Sequence, residues 1–265
     1  MVTNVFVSDT DDNKVVEFLD RVAKEKIEPF IDKSYQDLAE YVNAYEQKMQ
    51  MKREVIADKG IWVAKKRYIL NAHDVEGVRY KEPKLKIMGV EAVKSSTPAA
   101  CREKIKEALT IIMNKDNKEL NSFIQDFRTE FMNLKPELIA YPRSVNGLNK
   151  WTESHNLFKK GAPIHCKGAI LYNHLVQDKK LQGKYPYIQE GDKIKFLHMK
   201  TPNVYQSTSI SFMTKLPNEL NLYNFIDYDM QFEKSFVEPL KFITDIIRWQ
   251  IDSSYGTQGT LEGFF

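Results

Sequence analysis

The sequence predicts an α+β protein with short strands and helices in its first third, followed by a mainly helical region with a small β element and a flexible C-terminal tail. Three observations predict this class. Apolar residues recur at helical spacing in several stretches, and short β-branched runs lie between those stretches. The final residues, 253–265, are rich in Ser, Gly, Thr and Gln, which is typical of a polar tail without a core.

Composition limits the class of protein further. The chain has 265 residues, 42% hydrophobic and 28% charged, enough for one sizeable core or two modest ones. A formal charge of +3 is slight, so nucleic-acid binding has to come from local clusters of Lys and Arg. Cys101 and Cys166 lie far apart without a metal-ligand spacing, which favours reduced thiols. No apolar run approaches the roughly 20 residues that span a bilayer, and we expect a protein of the cytoplasm.

The first fifty residues indicate a short strand and two helical stretches. Val5 to Val7 favour the strand, and a polar cluster of Asp, Thr and Asn follows it. Apolar residues then recur at helical spacing from Val15 to Ala23 and from Phe30 to Val42. Glu28 and Pro29 predict an interruption between the two helices.

A basic and aromatic run lies within an apolar segment, from Ile61 to Leu70. The segment predicts one strand that carries Lys65, Lys66, Arg67 and Tyr68. Alternate residues of a strand face opposite sides, so at least one of these cations has to point away from any core. An anionic partner is one explanation, and an edge strand protected by cations is the other.

The rest of the chain predicts further helices and strands. Apolar spacing favours two amphipathic helices that pack as a hairpin, with aromatic side chains in the core, and a helical stretch near the end. Alternation favours two short strands. The helices are predicted near residues 105–113, 120–134 and 224–240, and the strands near 192–199 and 210–213.

Two later segments have the composition of a phosphate-binding site. Lys94, Ser95, Ser96 and Thr97 precede Pro98, and the hydroxyls predict a helix cap that could also contact phosphate. A plain capped helix explains the same pattern.

The second segment is KKGAPIHCKG, with Lys159, Lys160, His165 and Lys167. Its Gly161, Pro163 and Gly168 predict a backbone that can approach a phosphate chain. A lone His, by contrast, is more often a structural residue.

Several of these motifs, in this order along the chain, resemble the family B DNA polymerases of the T-even bacteriophage type. The resemblance is carried by Glu54, Ile56, Ala57, Gly60 and Lys65 to Leu70, by Lys84 to Pro98, and by Asn224 to Leu240. In that family, the KKRY region lies in the palm and holds primer–template duplex near the active site. The Gly-rich insertion of the phage enzymes is absent here, since Asp58, Lys59 and Gly60 lead directly into Ile61.

The resemblance implies three parts of the chain. Residues 1–82 would be the C-terminal portion of a polymerase palm, and residues 83–250 would be a thumb that binds duplex DNA. Residues 251–265 would be a flexible tail whose Leu261, Phe264 and Phe265 form a peptide that binds a sliding clamp. The alternative is that the two Phe side chains fold back on the thumb.

The sequence SDTDD resembles the polymerase DTDS motif, whose aspartates hold catalytic magnesium. Asp9 and Asp11 are the corresponding metal-ligand and catalytic candidates. The family motif lies at a hairpin tip, whereas a helical pattern follows here, which favours a helix cap and places the catalytic DTDS in another chain. Glu54 resembles a palm carboxylate near the active site, and an ion-paired Glu is the simpler alternative.

The resemblance implies one chain of a split DNA-directed DNA polymerase of a phage, acting in the cytoplasm of the infected bacterial host. The expected partners are primer–template duplex, an N-terminal polymerase chain and a sliding clamp. Mg²⁺ is expected in the assembled enzyme and no cofactor in the isolated chain, which should be inactive. The alternative is a non-catalytic DNA-binding adaptor that recruits the clamp. The candidate DNA contacts are Lys65, Lys66, Arg67, Tyr68, Lys86, Lys94, Ser95, Ser96, Thr97, Lys159, Lys160, His165 and Lys167.

Overall fold

The computed structural model describes residues 11–153 and 157–252, which form an α+β protein as predicted. The chain divides into two compact units between Met88 and Gly89. A strand runs without a break up to Met88, so the division follows the end of that strand. The assignment of the two units to palm and thumb stays a prediction.

A nearly continuous helical run opens the first unit. Helix α1 (Asp12–Val22) leads through a π-helical turn (Ala23–Ile27) into α2 (Glu28–Tyr41). The predicted interruption at Glu28 and Pro29 is therefore wrong. A proline ring presses on the carbonyl four residues earlier, and the wider π turn directly before α2 gives it room. The same arrangement recurs in the second unit, where Pro239 follows a π-helical turn.

Three antiparallel strands form the sheet of the first unit, in the order β1 (Val55–Ala64), β2 (Arg67–Val75) and β3 (Val78–Met88). The predicted single strand through Lys65 and Lys66 is wrong. Ala64 pairs with Arg67, so Lys65 and Lys66 form a two-residue hairpin turn. Lys66 has a left-handed backbone with φ 61°. A turn puts both ammonium groups in water, which a continuous half-buried strand would not.

An ion triad joins the helical run to the sheet. The Arg53 guanidinium lies 2.7 Å from an Asp74 carboxylate oxygen on β2 and 2.8 Å from an Asp20 oxygen on α1. The Arg53 backbone N–H also donates to Glu28 at 3.2 Å. Asp74 is 3% exposed, so its charge depends on this one guanidinium and on the Gly77 N–H.

The second unit combines helices with a small antiparallel sheet in the order β4-β5-β6. The helices and strands predicted near 105–113, 120–134, 192–199, 210–213 and 224–240 are confirmed, while α5, β4, α6 and the long helix α7 were not predicted. The elements are α3 (Ala99–Asn114), α4 (Asn117–Phe131), α5 (Pro136–Ile139), β4 (Tyr141–Ser144), α6 (Leu148–Trp151), α7 (Ile164–Asp178), β5 (Lys193–His198), β6 (Ser209–Phe212), α8 (Tyr228–Phe232), a π-helical turn (Glu233–Val237) and α9 (Glu238–Thr244), with 3₁₀ turns at Glu91–Val93, Asn218–Leu220 and Tyr223–Phe225.

An aromatic cluster forms part of the second core, as the aromatic spacing predicts. Two aromatic pairs form its centre. The ring centroids of Phe127 and Phe236 lie 4.7 Å apart, and those of Phe131 and Phe232 lie 5.2 Å apart. All four side chains are buried. Lys104 of α3 reaches Glu130 of α4 at 3.3 Å, consistent with the predicted helix hairpin.

Gly168 lies inside α7, where the helix packs directly on β6. A Cβ at this position would come within 2.5 Å of Ser211 Oγ and 2.7 Å of the Ser211 backbone nitrogen. The expectation that Gly168 opens the backbone to phosphate is therefore wrong, because its missing side chain lets the helix contact the strand.

The two cysteines are free and buried, in agreement with the reduced thiols that the sequence predicts. Among the residues that the structure describes, no helix is long and apolar enough to cross a membrane. The predicted strand at Val5 to Val7 and the C-terminal tail lie outside the described residues.

Candidate nucleic-acid interface

The hairpin between β1 and β2 presents a cluster of positive charge, which we call the hairpin tip (Lys65, Lys66 and Arg67). All three side chains are exposed. Within residues 11–153 and 157–252, no carboxylate forms an ion pair with any of them. The hairpin tip therefore presents three adjacent, unneutralised cations, which suits a polyanion.

Aromatic side chains lie beside the hairpin tip. Tyr68, half-buried, pairs across the sheet with Trp62, so the two side chains share one face. Trp62 is 59% exposed and its ring covers Gly60, where a Cβ would come within 2.8 Å of it. In the sequence, Trp62 is one of the apolar residues of the predicted strand from Ile61 to Leu70. Its pairing with Tyr68 was not foreseeable without the hairpin register.

Lys86 differs from the hairpin tip because it already has a partner. It lies on β3 opposite Leu70 and forms an ion pair with Glu54. The hydrogen bond to Glu54 raises the pKa of Lys86. Glu54 is therefore ion-paired, which was the simpler of the two roles considered for it. Lys86 could reach a phosphate only if it left or shared the Glu54 carboxylate.

The segment from Lys94 to Thr97 leads into α3 but does not cap it. The N-cap residue is Pro98, and no side chain caps the helix. Thr97 is buried and donates its hydroxyl to the Glu91 carbonyl at 3.0 Å, while Lys94 forms an ion pair with Glu91. The predicted hydroxyl cap is therefore wrong. The Thr97 hydroxyl donates its hydrogen bond to the Glu91 carbonyl, and no side chain accepts a hydrogen bond from the first amide groups of α3.

Arg143 links two of the predicted segments and was missed by the sequence analysis. Arg143 is an exposed residue of β4, and its guanidinium donates a hydrogen bond of 3.2 Å to the Ser96 carbonyl. Burial lowers the pKa of His165, and the charge of nearby Arg143 lowers it further. Both effects favour the neutral imidazole. The only signal in the sequence was an Arg between a Pro and a Ser in a segment without periodicity.

The segment around His165 forms the start of α7. Lys159 and Lys160 are exposed in the loop before the helix, and the Lys167 ammonium lies 5.6 Å from the ring centroid of Phe158. Pro163 is the N-cap residue of α7, and no side chain caps the helix. Both helices of the second unit that follow a predicted phosphate-binding segment therefore begin with uncapped amide groups, an arrangement that suits an anion.

One of the acidic metal-ligand candidates caps a helix. Asp11 is the N-cap of α1 and accepts a hydrogen bond from the Asn13 backbone N–H at 3.1 Å. In the described ranges, no group of three or more His, Cys, Asp or Glu could hold a metal ion. Asp9 and the clamp-peptide candidates Leu261, Phe264 and Phe265 lie outside the described residues.

Two curated phage proteins align with most of the chain. The DNA-directed DNA polymerase of Enterobacteria phage T4 is 34% identical over 242 residues, which cover 87% of this chain. The DNA-directed DNA polymerase of Escherichia phage RB69 is 35% identical over 247 residues, or 88% of this chain. This chain is similar to part of the T4-type phage DNA polymerases. The predicted resemblance to these phage enzymes is confirmed.

The similarity covers only part of each phage polymerase. The aligned segments amount to 26% and 27% of the T4 and RB69 polymerases, so the chain spans about a quarter of their length. No family model matches the chain. The chain is therefore similar to about a quarter of each T4-type polymerase, and the activity and partners of the whole enzyme are matters for proposal.

Proposed function

We propose that this chain is the part of a phage DNA-directed DNA polymerase that holds primer–template duplex, and that a second polypeptide supplies the rest of the enzyme. Similarity carries the proposal, because almost nine tenths of the chain aligns with about a quarter of two phage polymerases. In the proposal, the exonuclease, the fingers and the remaining palm belong to the second polypeptide. The isolated chain forms no phosphodiester bonds.

The hairpin tip supplies the first DNA contact of the proposal. Three exposed cations on a short turn can reach adjacent phosphates without first breaking an ion pair. Each phosphate that a Lys or Arg neutralises releases condensed counterions, so such binding weakens steeply as salt increases. Phosphate contacts carry little sequence information, as a replicative polymerase requires.

The second unit supplies a separate set of DNA contacts. The uncapped starts of α3 and α7 offer backbone amide groups, and Arg143, Lys159 and Lys160 add exposed positive charge near them. Because burial and the charge of Arg143 lower the pKa of His165, it would contact DNA there as a hydrogen-bonding group.

The remaining partners belong to the assembled enzyme. The tail residues Leu261, Phe264 and Phe265 would bind the sliding clamp, and the site of action would be the infected bacterial cell. Magnesium would be held by carboxylates of the second polypeptide, because Asp11 of this chain already caps α1.

Salt-dependent DNA binding tests the role of the hairpin tip. We expect the variant Lys65→Ala/Lys66→Ala/Arg67→Ala to bind primed duplex more weakly, whatever the DNA sequence. The slope of log K against log salt concentration should become less negative by about 2 to 3. The matched control is Lys118→Ala/Lys200→Ala/Lys241→Ala, which removes the same charge from exposed positions of the second unit. Equal losses of affinity and slope in the two variants would contradict a specific role for the tip.

A further inference from the structure

Helix α2 has two apolar faces, and only one of them is packed. Ile31 and Tyr35 are half-buried and Ala39 is buried, all on one side of the helix. A surface helix normally has a single apolar stripe, which faces its core. A second stripe exposed to water is a feature that the fold of the first unit does not explain.

The second face, which we call the outer stripe, consists of Phe30, Leu38 and Tyr41 of α2 and of Ile27, the last residue of the π-helical turn before it. At about 100° per residue, these positions fall within an arc of about 80°, centred about 100° round the helix from the packed face. Phe30 is 72% exposed and Tyr41 is 86% exposed. Within the described residues, most of the exposed large apolar side chains belong to the first unit, although it is the smaller of the two.

The relatives indicate what would cover such a stripe. About three quarters of each phage polymerase lies outside the aligned segment, and in those proteins it is part of the same chain. The counterpart of the first unit can therefore pack against that remainder within one molecule. Under the proposed function, the corresponding partner of the first unit is a second polypeptide.

We infer that the outer stripe of α2 is a docking surface for the polypeptide that carries the rest of the polymerase. This inference rests on the proposed function and identifies the contact that holds its two parts together. The partner would present an apolar surface to Phe30 and Leu38 at the centre, because buried aromatic and aliphatic anchors carry most of the energy of an interface. Lys33 and Asp37, both exposed, would lie at the rim.

The test uses the full chain and the larger polymerase fragment encoded in the same genome, with binding measured by calorimetry. We expect the wild-type chain to bind, and Phe30→Asp/Leu38→Asp to bind about 100-fold more weakly. The control is Gln36→Asp, on the opposite side of α2, which adds the charge of either single substitution and should stay within about 3-fold of the wild type. Circular dichroism and thermal unfolding establish that each variant keeps the fold.

A milder variant guards against loss of folding. Phe30→Ala/Tyr41→Ala changes only strongly exposed side chains to a good helix former, and should weaken binding about 10-fold. If the wild type binds and the variants bind equally well, the docking surface is wrong and the proposed function stands. If the wild type binds no such fragment, the proposed function itself fails. A wild-type chain that is dimeric alone, with variants that are monomeric, would assign the outer stripe to a second copy and overturn the inference.

Discussion

Arg53 connects the parts of the first unit at the scale of a single residue. Its guanidinium is 11% exposed and contacts carboxylates from a helix and a strand. A buried ion pair adds little net stability compared with apolar residues, yet removal of one partner leaves a buried charge uncompensated. Asp74 would become such a charge if Arg53 were removed.

We therefore expect Arg53→Ala to lower the free energy of unfolding of the chain by about 3 kcal/mol or more. The matched control is Arg79→Ala, because Arg79 pairs with Glu17 at 3.2 Å on the surface, where loss of the pair costs less than about 1 kcal/mol. Urea denaturation of both variants measures the two values. A similarly small loss of stability in both variants would show that another group compensates the charge of Asp74.

Cys101 gives a pH dependence at the same scale. Burial raises its pKa to about 12 from an ordinary value of 9.0, against a hydrogen bond with Ser235 at 3.2 Å that lowers it. Above pH 9, the unfolded chain loses this proton and the folded chain keeps it. The stability contributed by the buried thiol is therefore complete below pH 9 and is lost as the pH rises towards 12.

We expect the free energy of unfolding of the wild type, relative to a Cys101→Ala variant, to fall by about 1.4 kcal/mol for each pH unit above 9. Urea denaturation at several pH values between 8 and 10.5 measures this difference. A difference that stays constant over that range would mean that the thiol ionises equally in the folded and unfolded chains.

At the scale of elements, the contact between α7 and β6 depends on Gly168. A side chain there would meet the backbone of Ile210 and Ser211 at 2.7 to 2.8 Å, and the backbone cannot move aside as a flexible side chain would. We expect Gly168→Ala to destabilise the protein by about 1 to 3 kcal/mol.

Gly183→Ala is the control for that substitution, since nothing lies within 4 Å of its Cβ position. It should leave the stability unchanged or raise it by up to about 1 kcal/mol, because alanine restricts the unfolded chain. Thermal unfolding compares the two variants. A neutral Gly168→Ala would show that the helix can shift away from the strand at little cost.

Several elements that the sequence predicted correctly have long apolar patterns, and several of the errors lie where a local contact decides. Helices α3 and α4 follow from their spacing alone. The turn at Lys65 and Lys66 could not be predicted, because the apolar residues on both sides fit one strand as well as two. The missing cap of α3 depends on Glu91, whose carbonyl takes the Thr97 hydroxyl.

The candidate site shows the same division. The cations of the hairpin tip were identified from their types and from the resemblance, and the structure shows them exposed together. Arg143 was missed because its closeness to Ser96 and His165 arises only when β4 folds beside the start of α3. Such contacts between distant segments leave no periodic signal in the sequence.

At the scale of the whole molecule, the chain consists of two compact units and is similar to part of a phage DNA polymerase. Two functions remain to be separated, a polymerase subunit and a DNA-bound adaptor that recruits a sliding clamp. Both require the hairpin tip to bind DNA. They differ in whether the chain is needed for synthesis.

Primer extension on a primed template tests the central claim most directly, with this chain alone, with the larger polymerase fragment from the same genome alone, and with both together. We expect extension only with both chains present, and a strong reduction with the Lys65→Ala/Lys66→Ala/Arg67→Ala variant at raised salt. Full synthesis by the larger fragment without this chain, or no synthesis by the pair, would contradict the claim that the two chains form one polymerase.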